Sequence, residues 1–247
     1  MSNFYDKVAK KFGCYHTGVK RFTEHQDDDP EQIFKEKLLA LSGKDKIVLD
    51  AGCGDGRFTL SIAPCFGKIK AIDTSKKMLA AAHKFQKEKQ IKNIDFKEGN
   101  AHQIDRSKKN FDIIYSRRGP TDYPKFYKIL KPKGYFLNIN IGEKDTRELK
   151  EIFGRGQNYG QWSESRLEKE KKKIVECGYK VVLAKEYFYN EYYASYADLD
   201  LFLQAVPIFE DFDSKKDEKF LKRYIIQFQT IKGIKLPRHR IVIVARK

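Results

Sequence analysis

A doubly wound α/β fold, a parallel sheet with helices on both faces, is what this 247-residue sequence predicts. Three observations carry the prediction. Short apolar runs alternate with amphipathic helical stretches from Lys46 to Ile141. A glycine-rich turn, Asp50-Ala51-Gly52-Cys53-Gly54-Asp55-Gly56, follows the first run. A second acid, Asp73, closes the second run, 23 residues after Asp50.

Taken in order, residues 3–12 have the spacing of a short amphipathic helix, and a glycine- and histidine-containing loop continues through Asp28. Asp29 is an N-cap, with Pro30 at the first helical position and Gln32 placed for a capping box. Ile33, Phe34, Leu38 and Leu41 then share one face, and Gly43 ends the helix. The run Asp27-Asp28-Asp29 complements the helix dipole better than it makes a metal site. Ile47-Val48-Leu49 is the first core strand, and a helix runs from the glycine turn to Pro64. Lys68–Ile72 is the second strand. Ser75 caps a helix to about Gln90, with Met78, Leu79, Ala82 and Phe85 turned inward. Ile94–Lys97 and Phe111–Tyr115 are strands, Pro124 lies in the first turn of a helix, and Tyr135–Ile141 is the fifth strand. Past Gly142, helices are expected near 146–153, 165–177, 196–205 and 217–230, with strands at Tyr179–Tyr187 and at HRIVIVA (239–245). No internal repeat or linker interrupts the chain. The expectation is one domain: a core of 44–189 and 237–247, an N-terminal cap of 1–43 and a helical cap insertion of 190–236.

Composition narrows the function classes. Lysine and arginine number 50 against 34 aspartates and glutamates, a formal charge of +16. A basic field attracts nucleic acid. Here, however, 38 of the cations are lysines and 12 are arginines, and arginine is the better fork for phosphate. The lysines are spread out, mostly beside acids, and Glu168 is spaced to pair with Lys172 on a wet helix face. A small anionic substrate suits such a surface equally well. The four cysteines include no C-x-x-C pair, which argues against a zinc finger or disulfide scaffold. No apolar run is long enough to cross a bilayer. The N-terminus MSNFYDKVAKKF has charges where an export signal needs an apolar stretch, so the expected compartment is the cytoplasm.

The glycine turn carries the chemistry. A helix N-terminus offers bare N–H groups, and glycines let a ligand lie against main chain. A dinucleotide fingerprint needs Gly-x-Gly-x-x-Gly or Ala, whereas here Gly52 and Gly54 are followed by Gly56 and Arg57. Asp50 would repel a pyrophosphate and suits a ligand with an ammonium group. Asp73 sits where a carboxylate can accept both ribose hydroxyls. S-adenosylmethionine, an amino acid joined to a nucleoside without phosphate, satisfies both conditions.

Over about residues 30–142 the sequence resembles the class I S-adenosylmethionine-dependent methyltransferases, in particular the small-molecule group. The segments that carry the likeness are VLDAGCGDGRF (48–58), AIDTSKKML (71–79), FKEGNAHQI (96–104), FDIIYSRRG (111–119) and ILKPKGYF (129–136). The resemblance implies a Rossmann-like seven-stranded sheet with an antiparallel last strand, which HRIVIVA fits. It also implies that Asp50, Gly52, Cys53 and Gly54 hold the methionine part of the cofactor and Asp73 the ribose. Thr74 and Met78 would border the adenine, and Asn100-Ala101 would read its edge, where the family more often has Asp than Asn. Cys53 reads as a small residue tucked under the turn, not a nucleophile.

The acceptor side is less defined. Because the sulfonium already activates the methyl group, a general base is needed only for an acceptor that must lose a proton. His16, Tyr15 and Glu143 are the candidate proton acceptors. Tyr5, Tyr115, Arg117, Arg118, Tyr192 and Tyr193 are candidate substrate contacts, the arginines for a carboxylate or phosphate. The Asn/Asp-Pro-Pro-Tyr/Phe pattern of enzymes that methylate base amino groups is absent after the fourth strand. The expected acceptor is a small molecule of anionic or aromatic character. The alternative reading is an rRNA or tRNA methyltransferase, and neither a metal nor a membrane partner is expected.

Overall fold

The computed structural model describes residues 2–14, 18–104 and 110–247; Tyr15 and His16 lie outside the described residues. The chain order is α1 (Ser2–Phe12), β1 (Arg21–His25), α2 (Pro30–Leu39), β2 (Gly43–Ala51), α3 (Arg57–Ile62), β3 (Phe66–Asp73), α4 (Lys76–Glu88) and β4 (Ile94–Glu98). Next come β5 (Phe111–Arg117), α5 (Tyr123–Ile129), β6 (Leu130–Ile141), α6 (Arg147–Phe153), α7 (Arg166–Glu176) and β7 (Lys180–Tyr193). The chain closes with α8 (Tyr196–Ala205), α9 (Glu218–Phe228), β8 (Gln229–Thr230) and β9 (Gly233–Arg246).

The strands form one sheet in the order β1-β7-β9-β6-β5-β2-β3-β4, with the two-residue β8 paired to β9. From β4 to β6 every pairing is parallel, and β9 runs antiparallel to both β6 and β7. The doubly wound sheet with an antiparallel last strand is therefore present, with nine strands among the described residues in place of the expected seven. The additions are the two-residue β8 and, more substantially, β1, which the sequence presents as loop. Strand β1 is a partly exposed edge strand on the outer end of β7, and its residues Arg21-Phe22-Thr23-Glu24-His25 carry no apolar alternation to betray it. The other change is length. Strands β7 and β9 each run 14 residues, so the helical cap hangs from a ribbon that continues past 189 and begins before 237.

Alternate residues of the central strands feed two cores. Val48, Tyr115, Ile139 and Val242 pack under α2, α3 and α4 with Phe34, Leu60 and Leu79. Leu49, Ile114, Phe136 and Ile243 pack under α5 and α7 with Phe126, Leu167 and Ile174. A third cluster joins α6, α8 and α9 through Phe153, Leu203, Phe209 and Tyr224. The helices begin where their caps dictate: Asp29 accepts from Glu31 N, Ser75 from Met78 N, Ser165 from Glu168 N and Ser195 from Asp198 N.

The carboxyl ends of β6 and β7 and the start of β9 are tied by a buried ion network. Asp145, 1% exposed, accepts from Arg238 Nε at 3.0 Å, Arg240 Nη1 at 2.6 Å and the His239 amide at 2.9 Å. Arg238 also reaches Glu191 at 2.5 Å. Burial pushes the Asp145 carboxyl up, but the charges of Arg238 and Arg240 outweigh it and hold the group well below the usual carboxylate range. Removing one partner of such a set leaves buried charge uncompensated. Asp145→Asn is expected to cost about 3–5 kcal/mol of unfolding free energy in urea titration; a loss below about 1 kcal/mol would mean that the arginines are already solvated.

Candidate cofactor site

The parallel register brings the ends of β2, β3 and β5 to one edge: Asp50 lies opposite Ala71 on one side and Tyr115 on the other. Just beyond, the chain turns through Gly52–Gly56. Gly52 N and Cys53 N both donate to Ile72 O, at 2.9 and 3.0 Å. Asp73 grips the turn from the neighbouring strand, accepting from Gly54 N at 2.8 Å and Ser75 N at 2.9 Å. Each of its oxygens keeps a second acceptor site, the capacity that ribose hydroxyls require.

The glycines divide the work. Gly54 has φ +56°, and a Cβ there would find nothing within 4 Å. Its main chain therefore fronts open space in a conformation that side-chain residues rarely adopt. A Cβ on Gly52 would instead lie 2.9 Å from Pro120 Cδ, and one on Gly119 would lie 2.6 Å from Ala51 O. Those two glycines let the loop after β5 press directly against the turn.

Asp50 does not face this open space. It is 3% exposed, and its Oδ2 accepts from Thr59 Oγ1 at 2.5 Å and Tyr115 Oη at 2.8 Å. The acid expected to meet a ligand ammonium is a strut beneath the turn, joining α3 to β5. Tyr115, expected as a substrate contact, is fully buried and spends its hydroxyl on Asp50. Burial also lifts the Cys53 thiol well above its ordinary range, with Asp50 and Asp73 adding to the effect, so the thiol stays protonated.

Of the residues expected at the adenine, Asn100 Oδ1 accepts from His102 N at 2.9 Å and caps a 3₁₀ turn, with Ala101 buried behind it. Thr74 is exposed. Met78 is 1% exposed, packed with Val8, Ala9 and Ala205 and flanked by Tyr5 and Phe12. Helix α1 thus covers the flank where adenine was expected, and Asp6 Oδ1 accepts from Ser75 Oγ at 2.5 Å.

The acceptor candidates are dispersed. Arg117 and Arg118 both clasp Glu31, Arg117 Nη2 at 2.6 Å from Oε2. Burial raises the Glu31 carboxyl, but Arg118 and Arg117 together bring it down to about 2, so neither arginine simply awaits a substrate anion. Tyr192 donates to Glu24 at 2.9 Å, and the fully buried Tyr193 donates to Glu191 at 2.8 Å. Both are sheet residues on the β1–β7 pairing, not parts of an open mouth. Glu143 accepts from Arg166 N at 3.1 Å and lies 3.9 Å from His239 Nδ1.

His239 was missed as anything but strand. It stacks on Phe188 at 4.2 Å, and Lys144 N donates to its Nδ1 at 3.2 Å. That bond puts the imidazole proton on Nε2, which faces Glu186 Oε1 at 3.9 Å. Burial lowers its pKa against the pull of Glu143 and Glu186. The signal in the sequence is Arg238-His239-Arg240, three polar residues in mid-β9 immediately before its apolar run Ile241–Ala245.

Residues 42–194, more than half of the chain, match the methyltransferase-domain family. The chain belongs to that family. The demethylmenaquinone methyltransferase of Lactococcus lactis subsp. lactis (strain IL1403) is 31% identical over 116 residues, 43% of this methyltransferase and 46% of the relative. The malonyl-[acyl-carrier protein] O-methyltransferase of Calditerrivibrio nitroreducens is 35% identical over 119 residues, 45% of each chain. The chain spans about half the length of these curated relatives. A putative methyltransferase from Bacillus halodurans C-125 superposes with a TM-score of 0.65 over 88% of this chain and 99% of its own, at 16% identity. That likeness is one of fold. S-adenosylmethionine is the cofactor of this methyltransferase, and the turn fits it: half-buried main chain at Gly54 that fronts open space, backed by Asp73.

The buried strut makes stability depend on pH. Burial, opposed by the Thr59 and Tyr115 hydrogen bonds, lifts the Asp50 carboxyl from 3.8 to about 6. Between those values the folded state holds a proton that the unfolded chain releases, so stability falls as pH rises, by about 3 kcal/mol from about pH 4 to about pH 7. Asp50→Asn removes that slope, and its melting temperature relative to the native protein should climb across the same range. A pH-independent difference would refute the assignment.

Proposed function

We propose that the protein transfers the methyl group of S-adenosylmethionine to a small-molecule acceptor of anionic or aromatic character. The observation that carries the reading is the Asp73 carboxylate bonded to Gly54 N at 2.8 Å beside unfilled main chain. The named activities of the two curated relatives, both methyltransferases, support it. When bound, S-adenosylmethionine supplies a sulfonium-activated methyl group. The tasks left to the chain are to bind, orient and exclude water, and such positioning is worth about 7–11 kcal/mol.

In this reading Asp73 holds the ribose, the Gly52–Gly54 main chain holds the amino-acid portion, and Asn100-Ala101 meets the adenine edge. Asp50 acts from below, fixing α3 and β5 through Thr59 and Tyr115. Helix α1 covers the adenine flank and screens it from water. Nucleic acid is the less favoured acceptor, because surface lysines are matched with acids, as in Lys171–Glu168, Lys222–Glu218 and Lys232–Glu24.

S-adenosylhomocysteine at about a hundredfold excess over its Kd should stabilise the fold by about 2.7 kcal/mol. Asp73→Ala should keep the fold and weaken that binding by about 1.5–3 kcal/mol, read by titration calorimetry. Absence of a thermal shift at millimolar ligand, or tighter binding of NADH, would sink the reading.

A further inference from the structure

The turn that receives the amino-acid end of the cofactor is acidic, with Asp50, Asp55 and Asp73 around it, whereas a methionine-type ligand brings a carboxylate as well as an ammonium. The nearby Arg57 is bound to Asp55 at 2.8 Å. Arg117 is placed differently. Tyr115 pairs with Asp50 in the sheet, so Arg117, two residues on, projects from the same face about 7 Å beyond that level. Its guanidinium lies 4.0 Å over the Phe58 ring, and Phe58 packs 5.8 Å from Tyr115, the residue that holds Asp50. Glu31 takes Nη2, but among the described residues the buried Nε has no hydrogen-bond partner. An unpaired N–H on a charged fork is costly to bury, and a carboxylate is the group its geometry matches. The contact between the Gly119-Pro120 loop and Gly52 holds the end of β5 against the turn.

We infer that Arg117, through its Nε, is the positioning residue for the α-carboxylate of the cofactor, with Glu31 as the internal carboxylate that holds and partly neutralises the fork. The inference rests on the proposed cofactor use and adds the recognition of one end of that ligand.

The test is calorimetric and uses two probes that differ only in the carboxylate: S-adenosylhomocysteine and its decarboxylated analogue, S-adenosyl-3-thiopropylamine. The native protein should prefer the first. Arg117→Gln should weaken S-adenosylhomocysteine binding by roughly tenfold or more and leave the analogue unchanged. Arg117→Lys, which keeps charge but not the fork, should fall between. Glu31→Gln should widen the preference, and it serves as the second variant if Arg117→Gln does not fold. An unaltered ratio between the two probes in the folded variants overturns the inference while leaving the proposed function standing. A native protein that binds neither probe overturns both.

Discussion

The arrangement depends on one carboxylate reaching between strands. Asp73 ends β3 yet bonds Gly54 on the turn after β2, and its other oxygen takes the Ser75 amide at the head of α4. One side chain thereby sets the distance between two loops and the start of a helix. Without it, the left-handed turn at Gly54 would lose its anchor on the neighbouring strand. The parallel register supplies the rest, because it delivers Asp50, Asp73 and Arg117 to the same edge from three separate strands.

A second layer of order lies below the turn. Thr59, Tyr115 and Asp50 form a buried polar knot at the junction of two loops and a helix. Such a knot costs desolvation of the carboxylate, visible in its raised pKa, and it gives the turn a fixed floor. The main chain above it is held by hydrogen bonds to Ile72 and Asp73 while remaining half-exposed.

Much of this was legible in residue order. Periodicity located the core strands, and Asp29, Ser75, Ser165 and Ser195 marked helix starts because an N-cap is a local hydrogen bond within three residues. The spaced acids pointed to the cofactor edge. What the sequence could not display was direction and partnership. Asp50 reads as an open acid until Thr59 and Tyr115 are seen beneath it. Arg117 and Arg118 read as a substrate clamp until Glu31, 86 residues away from Arg117, arrives from α2. Strand β1 hid because its partner, the outer end of β7, is 168 residues from it at the Tyr192–Glu24 contact. Long-range pairing of polar residues leaves no periodic trace. Gln32 likewise satisfied a capping-box spacing but hydrogen-bonds Glu36 along its own helix.

The ribbon formed by β7 and β9 has a consequence for how this chain tolerates change. The third apolar cluster, beneath α6, α8 and α9, is built on the ribbon's outer end and is separate from the two cores that support the glycine turn. Substitutions between 194 and 232 therefore strain a scaffold apart from those two cores, except where α8 meets α1: Gln204 accepts from Lys11, and Ala205 packs with Met78. The outer storey can drift toward new shapes while the ground floor keeps its grip, and Ala205 is the stairwell through which a careless renovation would be felt below.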